Sequence, residues 1–165
     1  MRRSQGLVLL LLVVGAAVGC AGGRDDDTRS FTEAGISFEH PAGLQVTGFS
    51  TTVWPRRLAV TSYRVPADAV EGDCGGSVAA ELLPPDGVVV LIVDYGERAS
   101  FAPRPSPLTT AHGELADYEC FGKSSMFRFR VGERDVQAHV AIGKNAGEDA
   151  RVRALSILAS IRAED

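Results

Sequence analysis

Beyond residue 35 apolar and polar side chains repeatedly alternate with period two, the pattern of strands that bury one face. Ile36 and Phe38 alternate with Ser37 and Glu39, the turn formers His40, Pro41, Ala42 and Gly43 follow, and Leu44 and Val46 resume the alternation. This predicts a hairpin-like start. Residues 58–63 (LAVTSY) predict a third strand between the breaks at Pro55 and Pro66. Over residues 76–83 (GSVAAELL) the spacing changes. Val78, Leu82 and Leu83 recur at helical intervals and Pro84-Pro85 stops them, so a short helix is expected there. Residues 88–95 (VVVLIVDY) are the longest β-branched run and predict a central strand buried on both faces.

The clearest alternation lies in residues 125–131 (SMFRFRV) and 135–142 (DVQAHVAI), joined by a turn at Gly132, Glu133 and Arg134. Phe127, Phe129, Val131, Val136, Ala138, Val140 and Ile142 would share one face of this hairpin, and Arg128, Arg130, Gln137 and His139 the other. Residues 102–107 (APRPSP) hold too many prolines for a ladder or a helix and read as an extended loop. Residues 111–121 add a strand that ends at Cys120. Over residues 148–162, Ala150, Ala154, Ile157, Leu158 and Ile161 form one stripe, with Glu148 and Asp149 in the first turn where they suit the helix dipole. This helix is expected on the apolar face of the hairpin. The fold class that follows is α+β: an antiparallel sheet with a short middle helix and a C-terminal helix packed on one face.

The amino-terminal residues follow a different pattern. Arg2 and Arg3 precede an apolar run over residues 7–18 (LVLLLLVVGAAV) that is too short to cross a bilayer core, which takes about 20 apolar residues, and reads as a cleaved export signal. It ends in Ala17-Val18-Gly19-Cys20, which resembles the lipobox of bacterial lipoproteins. The resemblance implies that Cys20 receives lipid through its sulfur and becomes the anchor of an extracytoplasmic, membrane-held protein. Residues 1–19 are then a signal peptide, residues 20–34 the lipidated cysteine and a flexible tether, and residues 35–165 a single domain. The acidic run at residues 25–27 belongs to that polar tether rather than to a metal site.

Removing residues 1–19 takes away two of the 17 basic side chains and none of the 21 acidic ones, which leaves 15 against 21, a balance of -6. Nucleic acid is therefore not an expected partner, because it requires a concentrated positive face. With Cys20 committed to lipid, Cys74 and Cys120 are an even number in an oxidising compartment, and a disulfide is expected. A metal pair or a catalytic thiol are the alternatives. The chain contains no CxxC, and His40, His112 and His139 lack ligand-like spacing, so neither metal nor another cofactor is expected.

No stretch carries a catalytic signature. Residues 73–77 (DCGGS) are Gly-rich and hold a Ser, yet lack the G-x-S-x-G frame. Glu97, Glu114 and Glu119 show no spacing that separates them from surface charges. The candidate binding residues are Arg128, Arg130, Gln137 and His139, whose guanidinium and imidazole groups suit an acidic ligand or an anionic polymer of the envelope. The competing reading is a solvated outer face. Arg56-Arg57 beside Trp54 is a second candidate. A binding or accessory module that contacts an envelope component or a protein partner is the expectation, with a hydrolytic enzyme or a structural subunit of an envelope complex as alternatives.

The order of elements resembles small exported domains of the PsbP/Mog1-like type. These open on a Phe-containing strand and a Pro turn, as in Ile36-Ser37-Phe38-Glu39-His40-Pro41, and close on a helix reading like residues 154–162 (ALSILASIR). Tyr118-Glu119-Cys120-Phe121-Gly122 followed by Phe127-Arg128-Phe129 also resembles uncharacterised lipoproteins of high-GC bacteria. The resemblance spans residues 35–162 and implies a fold, with no active residues.

Overall fold

The computed structural model describes residues 27–48, 54–68, 76–118 and 121–164. The expected export signal, Cys20, Cys74 and Cys120 lie outside the described residues, and the lipid and disulfide expectations with them. The fold is α+β, and its strands form two antiparallel sheets. The larger, six-stranded sheet runs in the order β3 (Gln45–Thr47), β4 (Arg56–Thr61), β5 (Val88–Glu97), β8 (Arg134–Ile142), β7 (Gly122–Val131), β6 (Glu114–Tyr118). The smaller sheet has β2 (Ile36–Pro41) between β1 (Thr28–Glu33) and β9 (Arg162–Ala163).

The run at residues 88–95 is the central strand that its β-branched composition calls for. Val88, Val90 and Ile92 of β5 enter one apolar cluster, and Val89, Leu91 and Val93 enter another on the opposite face. In the first cluster these residues meet Phe127, Phe129, Val136 and Ala138 of the β7–β8 hairpin, Ile36 and Phe38 of β2, and the C-terminal helix α2 (Glu148–Ser160). The helix buries Ala150, Ala154, Ile157 and Leu158, the stripe read from sequence, and stops one residue before Ile161, which is itself fully buried. Arg104 terminates it: Nη1–H donates to the carbonyls of Leu158 and Ile161, two of the acceptors that a helix end leaves unpaired.

Three local expectations are corrected. The hairpin-like start does not form, because β2 pairs with β1 and β9 while β3 pairs with β4 in the other sheet. Alternation specifies which side chains share a face and says nothing about which strand lies alongside. Thr28–Glu33, read as tether, is strand β1, joined to β2 by Ala34 and Gly35, both at positive φ as a two-residue hairpin turn requires. Only Phe31 of β1 packs inward, so its sequence carries almost no apolar signal. In the middle helix α1 (Ser77–Glu81) the buried residue is Ala79, whereas Val78 and Leu82 are exposed. With five residues, the helix is too short for the larger side chains to define the inward face.

The loop at residues 102–107 is as irregular as its prolines require, with one bridge to β7. Arg104, flanked by Pro103 and Pro105, donates its N–H to the Arg130 carbonyl at 3.1 Å, and the Arg130 N–H donates to the Ala102 carbonyl at 2.8 Å. Two pieces of irregular chain are also fixed by buried charge. Asp94 accepts from Arg134 Nη2 at 2.6 Å and from the Gly96 N–H at 2.9 Å. Arg134 and Arg56 both donate to the Ala34 carbonyl, which ties the turn of the small sheet to the large one.

Candidate functional site

Strands β7 and β8 set Arg128 opposite Gln137, Met126 opposite His139 and Arg130 opposite Asp135. The sequence leaves this face either solvated or receptive, and the structure divides it. Arg128 is exposed, while Gln137 and His139 are 5% and 0% exposed. They are covered because the second apolar cluster, built from Ala59, Val65, Ala79, Leu91 and Phe121 among others, lies on this side of the sheet. The Phe121 ring stands 5.8 Å from His139. The solvated reading is thus wrong for Gln137 and His139.

A hydrogen-bonded chain runs outward from this covered zone. Arg128 Nε–H donates to Gln137 Oε1 at 3.0 Å. An arginine only donates, so the amide oxygen must face Arg128 and the amide nitrogen must face His139. Gln137 Nε2 accordingly donates to His139 Nε2, 2.8 Å away. The remaining imidazole nitrogen, Nδ1, then carries the proton and donates to the Ser124 hydroxyl at 3.1 Å. Burial, with the Arg128 charge adding to it, pushes the imidazole down to about 4, which keeps it neutral as this pattern demands.

The same polarity bears on catalysis. Ser124 and His139 have the composition of a nucleophile and its base, but a base must accept the hydroxyl proton. With Gln137 oriented by Arg128, the imidazole nitrogen facing Ser124 is the protonated one, and Ser124 itself is 3% exposed. The pair orients side chains and does not activate the serine.

Arg128 and Gln137 open on a depression of about 310 Å³, further lined by Tyr95, Arg98, Ser100, Phe101 and Asp135. Asp135 latches the loop that forms its rim: Oδ2 accepts from the Ser100 N–H at 2.9 Å and from the Ser100 hydroxyl, and Oδ1 from the Phe101 N–H at 3.0 Å. Burial alone would raise this carboxyl. The hydrogen bonds from Ser100 and Phe101 and the charge of Arg130 outweigh it and hold the pKa below the usual range. Among the described residues neither Arg98 nor Arg128 has a carboxylate within ion-pair distance.

The structure therefore joins Arg128, Gln137 and His139 and separates Arg130 from them. Arg130 contacts Glu133 at 3.8 Å and lines a cleft with residues 103–108 instead. The second candidate also divides. Arg56 lies 5.9 Å over the half-exposed Trp54 ring and donates to Ala34, whereas Arg57 is buried. Arg98, Ser100, Phe101 and Asp135 carry no sequence signal, since a non-repetitive loop delivers three of them. Among the described residues no three His, Cys, Asp or Glu side chains gather as metal ligands. No family model, curated protein or solved structure matches the chain.

Proposed function

We propose that this chain is an extracytoplasmic binding or accessory module, held to the membrane by lipid on Cys20 with Cys74 and Cys120 paired, that engages an anionic component of the envelope through Arg128 and Arg98. The carrying observation is the buried chain from Ser124 through His139 and Gln137 to Arg128. It fixes one exposed guanidinium in place beside an open depression, with no carboxylate of the described residues spent on it. Burying an imidazole and an amide costs free energy unless each is hydrogen-bonded. That cost is compatible with a position whose geometry matters. The balance of -6 beyond residue 19, 15 basic against 21 acidic side chains, makes this local pair of arginines stand out against the rest of the chain. Two acyl chains, at about 0.8 kcal/mol per buried CH₂, would keep such a module at the membrane surface.

The test is co-sedimentation of the full-length protein, held in detergent, with cell-envelope material stripped of lipid, so that the anchor does not carry it down. Replacing Arg98 and Arg128 together by Ala is expected to weaken binding at least about tenfold, since hydrogen bonds to charged groups contribute about 1.5–3 kcal/mol each. Binding of the native protein should also fall as salt rises. Equal sedimentation of native and doubly substituted protein would remove the assignment. The anchor is tested separately: Cys20→Ser should shift the protein out of the membrane fraction.

A further inference from the structure

Resting on the reading of Arg128 as an anion contact, we propose that the depression beside it receives the carboxylate of an acidic sugar, a uronate residue within an anionic glycan. Arg128 can grip a planar oxyanion side-on, through Nε and one terminal nitrogen, or end-on, through its two terminal nitrogens. Nε–H is already donated to Gln137 Oε1, so the end-on pair remains. Two roughly parallel N–H groups match the two oxygens of a carboxylate.

The rest of the lining selects what carries that carboxylate. Tyr95 and Phe101 stand edge to face at 6.0 Å and 74°, both half-buried, and give the depression an aromatic wall against which the C–H face of a sugar ring can pack. Arg98 lies 6.0 Å over the Tyr95 ring and adds a second positive charge at the rim. A volume of about 310 Å³ stands at the small end of ligand sites and suits one ring rather than an extended chain. The site is on the surface, so a residue inside a polymer can enter it.

Two other anions fit less well. Phosphate is commonly held by converging backbone N–H groups. The two at this rim, from Ser100 and Phe101, are already donated to Asp135. An acidic peptide bound as an added strand needs an unpaired sheet edge. Here Gln137 sits on β8, which lies between β5 and β7, and the outer side of β7 beside Arg128 is covered by β6 as far as Met126 and by the 102–104 loop at Arg130, so only residues 127–129 are left open, too few for an added strand.

Calorimetric titration of the full-length protein in detergent tests this with four probes at one salt concentration: a galacturonate trisaccharide, its methyl ester, inorganic phosphate and hexaglutamate. The trisaccharide should bind and the ester should bind at least tenfold more weakly. Arg128→Lys, confirmed as folded by circular dichroism, should cost at least tenfold in trisaccharide affinity, because an ammonium cannot present the parallel pair. Phe101→Ala should weaken the trisaccharide and leave any weak phosphate binding unmoved. Equal binding of acid and ester overturns the proposal. Arg128-dependent binding of phosphate or hexaglutamate without binding of the trisaccharide overturns the sugar while the anion site survives. Loss of no probe on Arg128→Ala overturns both.

Discussion

His139 sets the direction of four side chains because a neutral imidazole has one donor and one acceptor. Its hydrogen bonds with Gln137 and Ser124 leave a single arrangement compatible with Arg128. Protonation would put a second N–H against the amide nitrogen of Gln137 and break the sequence. The folded imidazole titrates at about 4, well below its ordinary value near 6.5. Between those values the unfolded chain binds more protons, so stability is complete above about pH 6.5 and falls toward pH 4, by roughly 3 kcal/mol from this group. Asp135, whose folded pKa is lowered, contributes stability that is present above its unfolded pKa and is lost at still lower pH. Urea unfolding of His139→Gln at pH 7, 5.5, 4 and 2.5 should lack the slope between pH 6.5 and 4 and retain the acid limb below pH 4. A second residue-scale expectation concerns Ala34, which holds φ 54 in the hairpin turn. Ala34→Gly should raise unfolding stability by about 0.5–1 kcal/mol, since left-handed backbone penalises a Cβ. Alternation made legible that Gln137 and His139 share a face with Arg128. Their burial was not legible, because Phe121, Val65 and Ala79 reach that face from other parts of the chain.

At the scale of elements, runs that bury a full set of β-branched or alternating side chains were legible: β5, β7, β8 and α2. Those that lean on neighbours were not. β1 offers only Phe31, and α1 packs through Ala79 while its larger side chains face out. The Asp94–Arg134 pair was equally hidden, since two charges 40 residues apart in sequence give no sign that β5 and β8 place them 2.6 Å apart. Asp94 is fully buried, and Asp94→Ala would strand the Arg134 guanidinium and loosen the turn at Ala34. The expected cost is about 3–5 kcal/mol by chemical denaturation, with the Asp94→Ala/Arg134→Ala double variant recovering part of it. Asp135 has the corresponding role for the loop at residues 98–101. Asp135→Ala should cost about 2–3 kcal/mol and speed amide exchange at Ser100 and Phe101, whose N–H groups lose their acceptor.

For the molecule as a whole, two sheets and one helix enclose the main core, and the far side of the large sheet carries a second cluster with the polar chain at its border. The alternating hairpin thus served twice: one face built the core, and the other placed an arginine at a depression whose rim comes from a loop between β5 and β6. In this arrangement the proposed anchor supplies the place of action and the Arg128 surface supplies the contact. Both depend on the buried chain being ordered as its donors and acceptors require. Its most direct test is ¹⁵N NMR of the histidine side chains in the full-length protein. His139 should show a protonated Nδ1 and an unprotonated Nε2 from neutral pH down to about pH 5, with a midpoint near 4, and Arg128 Nε–H should exchange slowly. A His139 protonated on Nε2, or one titrating near 6.5 like a free imidazole, would contradict the chain and the oriented guanidinium built on it.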